Sequence, residues 1–228
     1  MSIKCVAISD SHSHDLRSIL DGYYGGLLII AGDWSYTASW KEITDFKLQL
    51  AEVSTNFESC CVIGGNHELG MEGNPHLEQE IMDATGCVYL NDSGVTVNIR
   101  GEEVKIWGSP VTPYFGGWAY NRQRGAEIRR HWELIPEGMD IVVTHGPIHR
   151  TGMDYLPWDD KYVGCEDLRE VLVSMENSPK YHISGHIHLT AGKTFMLRTN
   201  YDKVINCMNV SVCNEDYDPV HPPTVFYI

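Results

Sequence analysis

No run of about 18 apolar residues occurs in the chain, so no membrane-spanning helix is expected. Met1-Ser2-Ile3-Lys4-Cys5 lacks the basic-then-apolar layout of a secretory signal and reads as the start of a strand. Basic residues are scarce: 17 Lys and Arg stand against 31 Asp and Glu, a net charge of −14. That balance disfavours long nucleic acid and anionic membranes as partners, and with them a DNA nuclease, but not a small anion at a locally cationic site. The seven cysteines form no Cys-x-x-Cys pair, their number is odd, and Cys5, Cys60 and Cys61 sit in apolar runs. They read as buried, reduced thiols of a cytoplasmic protein rather than a disulfide framework or a zinc-thiolate site. Internal repeats and low-complexity segments are also missing. The 228 residues, 43% of them hydrophobic, are enough for one domain with a full core, and 1–228 is read as such.

What is present is an alternation of strand and helix signals. Apolar runs at 3–9, 27–31 and 60–63 predict strands, each followed by a helical pattern near 15–20, 40–53 and 75–85. Ser39-x-x-Glu42 is a capping-box pattern, and Ile43, Phe46, Leu50 and Val53 share one face of the helix it opens. Asn74 is the expected cap of the next helix, Pro75 its first residue and Gly86 its stop. Val95, Val97 and Ile99 alternate, Arg100–Glu102 turns, and Val104 and Ile106 resume, predicting a hairpin. Residues 110–138, rich in Gly, Pro and aromatics, read as an irregular excursion with a helix near 126–134. Strands at 139–144 and 181–184 flank a helix near 166–175, and 204–213 and 224–228 alternate like antiparallel strands. The pattern predicts an α/β fold, a two-sheet sandwich with helices outside.

Five polar motifs follow these strands in order: Asp10-Ser11-His12, Gly32-Asp33, Gly64-Gly65-Asn66-His67-Glu68, His145-Gly146 and Gly185-His186-Ile187-His188. Singly, Asp-x-His or Gly-Asp carries little information, because polar residues commonly end strands. Jointly they place two Asp, one Asn and four or five His just past the carboxyl ends of strands, where an α/β sheet presents its ligands. That donor set suits two divalent metals with mixed oxygen and nitrogen ligation. His186 and His188, two apart, would point to one side of an extended chain, so both could reach a dinuclear centre.

The ordered set resembles the calcineurin-like metallophosphoesterase superfamily over nearly the whole chain. More narrowly it is similar to the metallophosphoesterase-domain-containing (MPPED) branch. That likeness is carried by Asn91-Asp92-Ser93, Pro113-Tyr114-Phe115 with Gly117-Trp118, Leu134-Ile135-Pro136-Glu137-Gly138, Thr144-His145-Gly146-Pro147, Val163-Gly164-Cys165 and Pro222-Pro223. The resemblance implies the two-sheet metallophosphoesterase sandwich. It implies that Asp10, His12 and His188 bind one metal, that Asn66, His145 and His186 bind the other, and that Asp33 bridges them. His67 then lies beside the metals without ligating either. Vertebrate members of the branch carry Gly where this chain has His186, so the second site is expected to be more complete here. Trp34 follows Asp33 where Ser/Thr phosphatases carry Asp-Arg-Gly, which argues against a phosphoprotein substrate.

Two such ions acidify a shared water and stabilise the charge that develops on phosphoryl oxygens. His67 is the candidate general acid for the leaving alkoxide, and Glu68 an orienting residue. The expected reaction is hydrolysis of a small phosphodiester or nucleotide, with 2′,3′- and 3′,5′-cyclic nucleotides favoured by the resemblance. A broad phosphomonoesterase needs the same centre, and a non-catalytic scaffold would be expected to have lost ligands that this chain keeps. Manganese is favoured among Mn, Fe, Zn and Ni. Phe115, Trp118 and Tyr120 are candidates to stack a base, with a hydrophobic plug as the alternative.

Overall fold

The computed structural model describes residues 2–228. In chain order its strands are β1 (Lys4–Ile8), β2 (Gly25–Ala31), β3 (Phe57–Ile63), β4 (Val88–Tyr89), β5 (Ser93–Ile99), β6 (Glu102–Ser109), β7 (Thr112–Pro113), β8 (Asn121–Arg122), β9 (Ile141–Thr144), β10 (Tyr155–Leu156), β11 (Lys161–Tyr162), β12 (Tyr181–Ser184), β13 (Thr194–Arg198), β14 (Val204–Asn209) and β15 (Thr224–Tyr227). The helices are α1 (Leu16–Ile19), α2 (Trp40–Val53), α3 (Pro75–Thr85), α4 (Ala126–Trp132) and α5 (Glu166–Ser174).

Two sheets carry the architecture, in the orders β15-β1-β2-β3-β4 and β13-β14-β12-β9-β6-β5. β1 to β4 run parallel, with β15 antiparallel at the edge. In the second sheet β14, β12, β9 and β6 run parallel, with β13 and β5 antiparallel at the two edges. Strand alternation sorts the core into three layers. Cys5, Ala7, Leu27, Ile29, Cys61 and Ile63 face Ile106, Ile141, Val143 and Ile183 between the sheets. Val6, Ile8, Leu28, Ile30 and Val62 face the other way, under Ile43, Phe46 and Leu50 of α2 and Leu77 and Ile81 of α3. Trp107, Val142 and Cys207 pack outward against Ile128 and Trp132 of α4 and Leu168 and Leu172 of α5. The result is the two-sheet α/β sandwich that the sequence pattern predicts, helices outside.

Local signals acted as anticipated in α2, where the Ser39–Glu42 capping box is formed in both directions. Asn74 does not cap α3 with its side chain; its amide donates to the Gly70 carbonyl at 3.0 Å instead. The excursion contains α4 and a short parallel pair, β7 with β8, that sequence reading left irregular. All seven cysteines are buried and free.

Candidate metal centre

The parallel strands of both sheets discharge their carboxyl ends at one edge. Asp10 and His12 follow β1, Asp33 follows β2, Asn66 follows β3, His145 follows β9, and His186 and His188 follow β12. These seven side chains, remote in sequence, meet. Asp10, His12 and His188 bring ligand atoms within 4.8 Å of one another, as do Asp33, His145 and His186. His12 Nε2 lies 3.2 Å from His188 Nε2, and His188 Nε2 lies 3.4 Å from Asp10 Oδ1. His145 Nε2 lies 3.1 Å from Asp33 Oδ2 and 3.0 Å from Asn66 Oδ1. Atoms bound about 2.1 Å from one ion, at octahedral or tetrahedral angles, stand about 3.0–3.4 Å apart. The donor set therefore fits divalent metal in both groups. A third grouping, His12, Asp33 and His67, overlaps the two and sets His67 at the rim.

The imidazoles are aimed by their far nitrogens. His145 Nδ1 donates to the Ala31 carbonyl at 2.9 Å and His188 Nδ1 to the Asn214 carbonyl at 2.7 Å. A carbonyl only accepts, so each ring keeps its proton on Nδ1 and presents an Nε2 lone pair to the centre. His67 Nδ1 donates likewise to the Tyr36 carbonyl at 2.9 Å. The turns that deliver the ligands are strained: Asp10, His12, Asp33 and His186 all have left-handed backbone, with φ of 58°, 40°, 50° and 68°. The left-handed turn at His186 also corrects the extended-chain reading of Gly-His-Ile-His. The two rings do not share one side; His186 joins Asp33 and His145, whereas His188 joins Asp10 and His12.

Glu68 ties two of these turns together. Its carboxylate accepts from the backbone N–H of Asp33 (2.9 Å), Ser35 (3.0 Å) and Gly65 (2.6 Å) and from the Ser35 hydroxyl (2.9 Å). Gly65 is glycine for space, since a Cβ there would collide with Asp33 Oδ1 and the His145 ring.

Electrostatics reinforce the geometry. Burial alone would raise Asp10 and Asp33, but the imidazoles around them, His188 and His145 foremost, hold both below the usual carboxylate range. Burial pushes His12 and His186 down to about 4, which keeps them unprotonated and available to metal near neutral pH. His145 and His188 go the other way: burial opposes their charge, yet Asp33 and Asp10 lift His145 to about 10 and Asp10 raises His188, so protons compete with metal at both. Burial and the Asp33 charge push Glu68 up to about 8, against its four donors.

A cavity of about 350 Å³ opens over Asp33, Asn66, His67, His186 and His188. Phe115 and Trp118, two of the three aromatic candidates, line it. The Phe115 ring lies 5.0 Å from that of His186, and the Trp118 ring 4.6 Å from that of His67. Tyr120 is a correction: at 3% exposure it belongs to the core beneath Gly64 and does not line the cavity. Its neighbour Ala119 donates its N–H to the Asn66 carbonyl, which draws the chain inward and makes residue 120 a plug. Sequence reading missed Leu156, Trp158, Leu189, Glu215 and Tyr217, which complete the walls. Tyr217 sits edge-on to His12 at 4.6 Å and to His188 at 5.2 Å. An aromatic in a polar turn, Pro157-Trp158-Asp159 or Asp216-Tyr217-Asp218, was the available signal.

Comparison with known proteins gives a consistent picture. The calcineurin-like phosphoesterase family profile matches residues 3–189. Metallophosphoesterase domain-containing protein 1 of Homo sapiens is 35% identical over 241 residues, spanning 96% of this chain and 69% of that protein, and the Mus musculus protein matches equally. Among solved structures, the phosphopantetheinyl hydrolase of Mycobacterium tuberculosis superposes with a TM-score of 0.63 at 16% identity, covering 98% of this chain and 95% of the other. At that identity the likeness concerns the fold.

Proposed function

Because the chain belongs to the calcineurin-like phosphoesterase family, in its metallophosphoesterase-domain-containing branch, and is thus a metal-dependent phosphoesterase, we propose that it is a dinuclear phosphodiesterase for small phosphodiesters, cyclic nucleotides foremost. The observation that carries this reading is the convergence of Asp10, His12, Asp33, Asn66, His145, His186 and His188 into two adjoining ligand groups beneath one cavity. Asp10, His12 and His188 would hold one ion, Asn66, His145 and His186 the other, with Asp33 shared. When bound, the ions supply Lewis acidity to phosphoryl oxygens and lower the pKa of water. Manganese is the first metal to test.

The remaining chemistry belongs to the chain. The backbone N–H of His67 donates to Asp33 Oδ1 at 2.8 Å, which ties the residue carrying the candidate acid to the shared carboxylate. With Nδ1–H committed to the Tyr36 carbonyl, Nε2 is the free nitrogen, and the doubly protonated imidazolium is the form that gives an Nε2 proton to the departing alkoxide. Trp118 on one side and the edge of His12, 4.7 Å away, on the other restrict the ring's rotation. Phe115 and Trp118 offer apolar faces to a base or other flat group.

The test is turnover by metal-reconstituted protein on paired monoesters and diesters, 2′,3′- and 3′,5′-cyclic nucleotides among them. Faster hydrolysis of diesters supports the proposal. Turnover of monoesters alone replaces it with a phosphomonoesterase, and metal binding without turnover replaces it with a scaffold.

A further inference from the structure

A second cavity, of about 230 Å³, adjoins the first behind the His186 imidazole. The two share Phe115, Leu156, His186 and Ile187, so these residues border both cavities. Beyond them the walls are Pro113, Tyr114, Pro147 and Val163. No carboxylate lines this chamber. Its one charged wall, Arg124, is already satisfied: the guanidinium pairs with Glu166 and donates to the carbonyls of Gly164 at 2.8 Å and Val163 at 2.7 Å. A phosphate or sugar hydroxyl entering there would lose water and find few partners, whereas an apolar group would lose nothing. The chamber is held open by ordered elements. β7 pairs with β8 on one side, and Val163 N–H donates to the Asp154 carbonyl at 2.8 Å on the other.

A phosphodiester carries two ester arms, and the candidate centre lies at the junction of two chambers of different character. The geometry points to a substrate-arm subsite: we propose that the second chamber takes an uncharged apolar arm, aryl or alkyl, of an acyclic phosphodiester. The inference rests on the phosphodiesterase reading and extends it beyond cyclic nucleotides, whose two ester oxygens belong to one sugar and leave the chamber unused.

The experiment compares p-nitrophenyl methyl phosphate with p-nitrophenyl phenyl phosphate on manganese-loaded protein. In each, water adds to phosphorus, the P–O bond to nitrophenolate breaks, and the methyl or phenyl arm stays on the product, the water's proton passing to solvent. After correction for the uncatalysed rates, kcat/KM should favour the phenyl arm by roughly 10- to 100-fold, the worth of burying one ring. Val163→Phe, which fills the chamber away from the ligand groups, should collapse that ratio toward unity. Should that variant fail to fold, Val163→Leu occupies part of the same space and should lower the ratio. Calorimetry of phenylphosphonate against methylphosphonate on the same protein reads the chamber without turnover. A phenyl preference that Val163→Phe abolishes supports the subsite. Hydrolysis of both diesters with no phenyl preference overturns it while leaving the phosphodiesterase reading intact. If neither diester is hydrolysed, that reading fails, and the phosphonates decide the chamber alone: equal binding of the two overturns it.

Discussion

His182 is the sharpest test of how the second sheet is built. It lies on β12 facing outward, in register with Val142 and Cys207, which belong to the apolar layer under α4 and α5. The Thr144 hydroxyl donates to the Gly146 carbonyl at 2.7 Å, so it accepts from His182 Nε2–H at 2.8 Å. Nδ1 is therefore bare, and it is buried without a partner. Burial drives this histidine down from 6.5 to about 3. A depressed value means that the unfolded chain takes up the proton first. The contribution to stability is present above pH 6.5 and is lost as pH falls toward 3. At pH 5 the folded ring is still neutral, so the loss is set by the unfolded histidine alone, about 2 kcal/mol. His182→Leu removes the titration and leaves the Thr144–Gly146 bond in place. Urea unfolding followed by tryptophan fluorescence, with chelator present, should show wild type losing about 2 kcal/mol more than the variant between pH 7.5 and 5. His12 and His186 titrate in both proteins and cancel. A wild-type-minus-variant difference independent of pH would refute the argument, showing that His182 is not held neutral by burial.

Asp33→Asn should reduce bound metal in both ligand groups, measured by elemental analysis after reconstitution; loss of one ion only would remove Asp33 from the shared position. His67→Ala should keep the metal content and lower kcat by about 10²–10⁴-fold on alkoxide leaving groups, with a smaller loss on nitrophenolate. An equal loss on both leaving groups would make His67 a positioning residue. His186→Gly should weaken occupancy of one metal and lower activity with an unchanged circular-dichroism spectrum; full activity at limiting metal would count against His186 as a ligand. Trp118→Ala should raise KM for cyclic nucleotides by roughly 5- to 150-fold. A matching kcat loss on a diester without a base would show that the ring acts by holding His67.

The sandwich was legible because its signals are local. Capping at Ser39 and Glu42, Pro75 opening α3, and apolar runs before each motif need no partner to be read. β13 was not read, because among Thr194–Arg198 only Leu197 is buried and an edge strand shows little alternation. The motifs named the candidate donors and the resemblance divided them, whereas their spacing alone does not give that division. Nothing in the spacing of His186 and His188 announces a left-handed turn. Tyr120 looked like Phe115 and Trp118 in sequence and differs only through a long-range pairing, Ala119 to Asn66. Trp158 and Tyr217 reach the cavity on loops whose approach is tertiary, so the sequence around them describes a polar turn and no more.

Each ligand group draws on both sheets. Asp10 and His12 leave the first sheet and meet His188 from the second; Asp33 and Asn66 leave the first and meet His145 and His186 from the second. Neither sheet presents a complete set, so the spacing of donors is inherited from the sheet-to-sheet packing. That packing is close enough at Gly108 that a Cβ would meet Ile63 Cγ2 and Leu90 Cβ, both at 2.7 Å. A side chain there would press on Ile63, the last residue of β3, three residues before Asn66. Cores resist such displacements because they are close-packed. The cavity walls lie outside that layer: Phe115 and Trp118 stand between β7 and β8, Leu156 ends β10 with Trp158 just after it, and Glu215 and Tyr217 stand between β14 and β15. The fold thus separates the two demands of a phosphoesterase site. Donor geometry is set by the apolar layer between the sheets, and the walls of the cavity come from segments outside that layer.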